Sequence, residues 1–218
     1  MSSRPKKPSA VPAKPRRGRP PVLTEDTRRQ RILDAAERVF TDIGYGAASM
    51  AEIARAAGMA KKTLYGLFPD KRALFTALIN VIGPFSTAAL SADPASSHKE
   101  LRARLLTLAE IALSRRQIEM TRLVISEARH CPELAEEFHG KAMETGRAYL
   151  VSALQTFADA NPRVAIPDIE ATAITLFAAI LGDMHFRALL GEKVASKRKL
   201  EAHIDSAIGL VLPNLARR

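Results

Sequence analysis

Cations and hydroxyl groups are concentrated in one short segment, in a spacing suited to binding phosphates. Lys61, Lys62 and Thr63 open a predicted helix, and Tyr65 follows two residues later. The N-terminal end of a helix carries a positive partial charge and free N–H groups, so cations and hydroxyls placed there favour an anionic partner. Lys71 opens the next predicted helix in the same way. These residue types predict contacts with the phosphates and base edges of nucleic acid.

The residues just before this segment have the pattern of a helix followed by a tight turn. Ser49 and Glu52 form a capping box, in which each side chain satisfies a backbone N–H of the other residue. Gly58 reaches the left-handed conformation without strain, so the helix ends there and the chain turns over residues 58–60. Pro69 ends the second helix. Two short helices joined in this way form a helix-turn-helix, whose second helix can lie in the DNA major groove.

Helices on both sides complete this predicted domain. One begins after Thr24, with apolar residues at helical spacing along its inner face. Another is capped by Asp70 and carries an apolar stripe as far as Ile82. The Gly-Pro pair at residues 83–84 is expected to end that helix and to form the hinge into a second domain.

The stretch IARAAGMAKKTLYGLFPDKRALF resembles the DNA-binding domain of TetR-type transcriptional regulators. The match covers residues 49–74, and residues 28–44 resemble the family's preceding helix. The resemblance implies DNA contacts from Ser49, Lys61, Lys62, Thr63, Tyr65 and Lys71. Two positions depart from the family pattern, because Ala60 replaces a small hydroxyl cap and Leu67 replaces His or Tyr. The usual contacts from these two positions are therefore not expected.

Most of the net charge of +10 lies in the first 22 residues, which hold seven cations and no acid. Six prolines and no aromatic residue there predict a disordered basic tail. Arg16, Arg17 and Arg19 surround a glycine and precede Pro20, which resembles the core of hooks that insert arginine into narrow A·T-rich minor grooves. A tail that attracts phosphates without reading bases is an equally open interpretation.

Residues 83–218 show no strand pattern and are expected to form a helical second domain. Helices are predicted near 97–116, 117–129, 132–160, 167–190 and 197–212. Residues 123–138 also resemble the start of the C-terminal domain in the AefR-like subgroup of TetR regulators. The predicted fold is therefore all-α, with a basic tail (1–22), an N-terminal three-helix helix-turn-helix domain (23–82) and a C-terminal helical ligand-binding and dimerisation domain.

Helix 167–190 has almost no polar face, so both of its sides are expected to be buried. One side can close the domain core, and the other can pack, with the last helix, against the same pair of a second copy. A central helix in a monomer is the alternative. The residues assigned to the dimer interface are Ala178, Leu181, Ile204, Ile208 and Val211.

Adaptable apolar side chains in the second domain suit a pocket for a small apolar or aromatic effector. The candidates are Leu105, Leu108, Met120, Met143, Phe177 and Met184, with His185 as a polar anchor. Ordinary core packing is the alternative for each of them.

Catalysis and metal binding are not expected. The sequence has no glycine-rich phosphate loop, no nucleophile elbow and no paired-carboxylate signature, so neither an enzyme nor a cofactor is predicted. Glu127, His130, Cys131 and His139 have donor atoms at near-helical spacing, but Pro132 is expected to place them on different elements. No metal site is predicted.

No membrane segment is expected either, because the most apolar stretch, residues 171–181, is short for a bilayer and the basic N-terminus lacks an apolar signal core. A lone cysteine fits a reducing cytoplasm. We therefore expect a cytoplasmic, nucleoid-associated homodimer that binds a pseudo-palindromic duplex operator under effector control, acting as a repressor. A nonspecific architectural DNA-binding protein without ligand control is the alternative.

Overall fold

The computed structural model describes residues 23–80 and 94–212, and every regular element in those ranges is helical. The helices are α1 (Glu25–Ile43), α2 (Met50–Ala56), α3 (Lys61–Leu67), α4 (Lys71–Asn80), α5 (Pro94–Ala112), α6 (Arg115–Glu127), α7 (Pro132–Phe138), a π-helical turn (His139–Met143), α8 (Glu144–Ala160), α9 (Ile169–Leu189) and α10 (Lys197–Val211). The all-α prediction, with an N-terminal helix-turn-helix domain and a C-terminal helical domain, is confirmed. The predicted Gly-Pro hinge at residues 83–84 and the end of α4 at Ile82 lie outside the described residues.

Helix starts follow the capping signals of the sequence. The hydroxyl of Thr24 accepts a hydrogen bond from the Thr27 N–H at 3.2 Å and begins α1. The carboxylate of Asp70 accepts one from the Ala73 N–H at 2.7 Å and begins α4. The predicted helix 132–160 is helical throughout, but the π-helical turn separates α7 from α8.

Two apolar clusters hold these helices together, and α6 belongs to both. One cluster joins the buried faces of α1 to α4 with α7 and with Met120, Leu123 and Val124 of α6. The other joins α5, α8, α9 and α10 with Ile118 of α6. Helix α6 therefore packs against both the DNA-binding helices and the C-terminal bundle.

Helix α9 is 21 residues long and, by length and composition, apolar enough to cross a membrane. The apolar stretch 171–181, which is predicted to be short for a bilayer, lies inside this longer helix. Ala173, Leu176 and Ile180 are nevertheless fully buried against the protein's own second cluster. Only 22% of the most apolar 18-residue stretch of α9 is buried, so one side of the helix is a core face and the other is uncovered.

Candidate nucleic-acid interface and the cavity beside it

The capping box at the start of α2 has the predicted geometry. Ser49 Oγ donates to Glu52 Oε2 at 2.7 Å, and the Ser49 N–H donates to the same oxygen at 3.0 Å. In return, the Glu52 N–H donates to Ser49 Oγ at 3.2 Å. These hydrogen bonds from Ser49 lower the pKa of Glu52 below its usual value. The contact of Ser49 with DNA stays a prediction, and it would compete with the hydrogen bond to Glu52.

The turn after α2 places α3 at the surface. Gly58 has a φ of +66°, and the Met59 N–H reaches back to the Ala54 carbonyl at 2.9 Å, which closes the helix end. Helix α3 then begins after Ala60, which provides no side-chain cap. The departure from the family pattern at Ala60 therefore leaves the start of α3 without a capping hydroxyl.

Helix α3 has a buried face and an outward face. Leu64 and, just after the helix, Phe68 are buried in the first cluster. Lys61 and Lys62 are exposed, and 51% of Tyr65 is accessible to solvent. Thr63 is half-buried at the side of the helix. Two cations and a tyrosine hydroxyl are thus directed away from the core, as the sequence predicts for a DNA-binding face.

The structure gives Lys71 partners within the protein, and its predicted DNA contact stays a prediction. Its ammonium group donates to the carbonyl oxygens of Tyr45 at 2.5 Å, Ala48 at 2.9 Å and Gly46 at 3.1 Å. It also lies 4.5 Å from the centre of the Tyr45 ring. Three carbonyl acceptors match the three ammonium hydrogens, so Lys71 holds the α1–α2 loop, and a phosphate contact would compete with these hydrogen bonds.

That loop is also held by residues for which the sequence gives no signal. Tyr45 packs against Phe40 and Phe75 with ring centres 5.2 and 5.7 Å apart, and burial is the main cause that raises the pKa of Tyr45 to about 12. The carboxylate of Glu127, the last residue of α6, lies against the loop, 3.2 Å from where a Cβ on Gly46 would be. A side chain at residue 46 would require the carboxylate of Glu127 to shift by a few tenths of an ångström.

Arg116 of α6 ties the two domains together. Its guanidinium donates to Glu37 of α1 at 2.8 Å and to the Leu78 carbonyl of α4 at 3.0 Å. Helix α7 adds a second joint, since Glu137 accepts hydrogen bonds from Arg72 at 3.3 Å and from Thr76. Sequence periodicity gives no signal for these side-chain bonds, because the side chains that they join lie 61 to 79 residues apart.

An apolar cavity of about 280 Å³ lies between α5, α8 and α9, next to the start of α6. It is lined by Leu108, Ile111, Ala112, Gln117, Ala142, Met143, Gly146, Phe177, Ala178, Leu181, Gly182 and His185. Burial lowers the pKa of His185, so its imidazole is neutral at pH 7. The lining has no carboxylate, ammonium or guanidinium group, which favours an uncharged occupant.

Four of the seven predicted effector residues line this cavity: Leu108, Met143, Phe177 and His185. The other three do not line it, and their contact with an effector stays a prediction. Leu105 is fully buried in the second cluster and Met120 is buried in the first, whereas Met184 packs partly buried against the second cluster. These three side chains pack in or against the two clusters.

The predicted dimer residues divide between the protomer core and its surface. Leu181, Ile204 and Ile208 are at most 4% exposed, because they pack inside the protomer's own second cluster. Ala178 is exposed and Val211 is half-buried. Larger apolar side chains are uncovered on the same two helices, where Ile174 is 54%, Phe186 61% and Leu210 81% exposed.

Among the described residues, no group of three or more His, Cys, Asp or Glu side chains could hold a metal ion. Arg16, Arg17 and Arg19 of the basic tail lie outside the described residues.

Comparisons with known sequences agree with the two halves of this architecture. The family profile described as bacterial regulatory proteins of the tetR family matches residues 32–78. The profile described as the C-terminal domain of AefR-like transcriptional repressors matches residues 99–214, more than half of the chain.

The HTH-type transcriptional activator FasR of Mycolicibacterium smegmatis is 47% identical over 57 residues, 26% of each chain. The repressor ComR of Escherichia coli K12 is 39% identical over 64 residues, 29% of each chain. These alignments span only about a quarter of the relatives' length.

Solved structures share the fold over nearly the whole chain. A TetR-family transcriptional regulator from Mesorhizobium loti MAFF303099 superposes with a TM-score of 0.70 at 24% identity, over 88% of this chain and 98% of that one. The flavonoid-responsive regulator FrrA superposes with a TM-score of 0.68 at 26% identity, over 86% of this chain and 96% of its own.

Proposed function

The chain belongs to the tetR family of bacterial regulatory proteins, and from this premise we propose that it is a ligand-responsive repressor that binds a pseudo-palindromic operator as a dimer. It is a DNA-binding transcriptional regulator and not an enzyme. The observation that carries the proposal is the outward surface of α3, where Lys61, Lys62 and Tyr65 are exposed whereas Leu64 is buried. Such a face offers cations to phosphates and polar groups to base edges in a major groove.

A dimer is supported by the uncovered apolar face of α9 and α10. Ile174, Phe186 and Leu210 are each more than half exposed, although apolar side chains of this size are normally buried. Ala178 and Val211 lie on the same two helices. Binding of a dimer to a pseudo-palindromic operator requires that the pairing set the two copies of α3 about 34–36 Å apart, the spacing of successive major grooves.

The effector we propose is a small, uncharged apolar or aromatic molecule in the 280 Å³ cavity. Phe177 and Met143 offer aromatic and thioether surfaces, and Gln117 and the neutral His185 offer hydrogen bonds to a hydroxyl or carbonyl. FrrA, which shares the fold, is named as a flavonoid-responsive regulator, so hydroxylated planar aromatics are the first class to test.

Release of DNA would follow from the position of α6. Its first turn contributes Gln117 to the cavity, and the adjacent Arg116 bonds to α1 and α4. Its last residue, Glu127, lies against the loop that precedes α2. An effector that fits only one position of α6 or α4 would therefore change the spacing of the two α3 helices and weaken operator binding.

Repression is proposed on the match to AefR-like repressors, and the basic tail is proposed to add nonspecific phosphate attraction. We place the dimer in the cytoplasm, on the nucleoid.

A thermal-shift screen of uncharged aromatic compounds, flavonoids first, identifies a candidate effector, and calorimetry with and without operator then tests the proposal. If a compound weakens operator binding by a given factor, thermodynamic linkage requires that operator DNA weaken binding of the compound by the same factor. Met143→Trp, which fills the cavity, should abolish the thermal shift and leave operator binding unchanged. Equal affinity of the compound for free and DNA-bound protein would contradict effector control.

A further inference from the structure

Gly66 in α3 has no reason in the fold to be a glycine. The positive-φ glycines of the described residues are Gly44, Gly58 and Gly191, so Gly66 has an ordinary helical conformation. A Cβ at residue 66 would meet no heavy atom within 4 Å. Glycine is the least favourable residue inside a helix except for proline, because it loses the most backbone freedom on folding. Alanine would therefore suit the fold better than the residue that is present.

Gly66 lies on the outward surface of α3, which indicates a role in DNA binding. Two residues correspond to about 200° around a helix axis, so Gly66 points almost directly away from Leu64, which is fully buried. Lys62, one turn earlier, lies on the same outward line, and Tyr65 lies beside it. Both side chains are exposed. The outermost surface of α3 is thus bare backbone between a cation and an aromatic ring.

We propose that Gly66 is the point where α3 comes closest to the base edges of the operator, and that DNA binding, not the fold, requires the missing side chain. The inference rests on the proposed function, since it needs α3 in the major groove. Glycine is the residue that allows a backbone to approach a ligand closely. With no Cβ at this point, Lys62 and Tyr65 reach base edges and phosphates on either side.

A methyl group at residue 66 would hold α3 away from the groove floor and lengthen the distances from Lys62 and Tyr65 to the DNA. The loss of affinity would come from hydrogen bonds to base edges, because these bonds need close approach. The long-range attraction to phosphates would persist, because it depends on charge. The absence of a side chain at residue 66 therefore contributes to the sequence specificity of DNA binding.

The experiment uses the full chain and a duplex that the wild-type protein enriches from a random pool. Gly66→Ala should raise the melting temperature by at most about 2–4 °C, the shift expected for an interior helix glycine in a chain of this size, because Gly66 is the penultimate residue of α3. It should lower affinity for the enriched duplex by about tenfold or more, the discrimination of one good base contact. Affinity for a scrambled duplex should not change.

Gly140→Ala is the matched control. A Cβ at Gly140 would also meet nothing within 4 Å, but this glycine lies in the π-helical turn, away from α3. It should leave both DNA affinities unchanged. If Gly66→Ala binds the enriched duplex as tightly as the wild type, the role of Gly66 is overturned, and an equal loss on both duplexes overturns it too. A pool that the wild type fails to enrich overturns the proposed function and this role with it.

Discussion

Arg116 and Glu37 form an ion pair of 2.8 Å that joins α6 to α1, across the boundary between the C-terminal bundle and the DNA-binding helices. The same guanidinium donates to the Leu78 carbonyl on α4. One side chain therefore holds α6, α1 and α4 in a fixed arrangement beside the apolar cavity. A change in the position of α6 cannot leave the DNA-binding helices unaffected while these bonds persist.

Arg116→Ala should lower the free energy of unfolding by about 1 kcal/mol, because it removes charge-assisted hydrogen bonds from a partly exposed site. It should also weaken the effect of an effector on DNA affinity, since α6 is then held less firmly to the DNA-binding helices. Arg115→Ala, at an exposed neighbouring position, is the control and should change neither quantity. Denaturant unfolding and effector-dependent anisotropy measure the two effects. Full effector response in Arg116→Ala would show that the coupling runs through other residues.

Lys71 and Lys62 should respond differently to replacement by alanine. Lys71→Ala leaves three loop carbonyls without a donor and should lower the melting temperature, with weaker DNA binding as a consequence. Lys62→Ala should leave the melting temperature unchanged and reduce the slope of log K against log salt by about 0.9 for each phosphate that this lysine neutralises. Thermal unfolding and a salt titration separate the two. A melting temperature unchanged by Lys71→Ala would show that the loop does not depend on it.

The apolar face of α9 can be tested with a single charge. Phe186→Glu should give a folded monomer, because a carboxylate buried without a partner in the dimer costs several kcal/mol. Ile125→Glu provides the control, since Ile125 is 60% exposed on α6 and lies off this face. Ile208→Glu should instead unfold the protomer, because Ile208 is 4% exposed within the core. Sedimentation equilibrium and circular dichroism distinguish these results. A wild-type protein that is monomeric at micromolar concentration contradicts the dimer.

His185 should make stability depend on pH. Burial lowers the pKa of His185 in the folded state below its ordinary value of 6.5, so the unfolded chain binds more protons in acid. The contribution is therefore fully present above about pH 6.5 and is lost as pH falls through 6.5 toward the lowered value. His185→Gln should flatten this part of the profile, because it removes the titrating imidazole. Urea unfolding from about pH 5 to 8 measures how the free energy of unfolding depends on pH. Identical profiles for His185→Gln and the wild type would contradict the contribution assigned to His185.

The sequence predicts the helix-turn-helix well because its signals are local. Ser49, Gly58 and Asp70 act on backbone groups within a few residues, so the caps and the turn can be located without the fold. The role of Lys71 cannot be predicted in this way, because its acceptors lie 23 to 26 residues earlier, in a loop whose path depends on packing.

The dimer face illustrates the same limit. The composition of α9 predicts that two of its sides are apolar, but which side faces the protomer's own core depends on where α8 and α10 pack. Sequence reasoning therefore assigns Leu181 to the interface although it faces the core, and it misses the exposed Phe186. Of the cavity residues, Phe177 and Met143 are predicted from their chemistry, whereas the small residues that form the space, such as Gly146, carry no sequence signal.

The central claim is that α3 reads a DNA sequence, and competition binding tests it most directly. The wild-type protein is bound to a labelled duplex enriched from a random pool, at physiological salt, and displaced with the same unlabelled duplex or with a scrambled one. We expect the scrambled duplex to be at least about 10³-fold weaker as a competitor, the lower limit for specific DNA-binding proteins. Equal displacement by the two duplexes would contradict sequence-specific regulation and favour the architectural alternative.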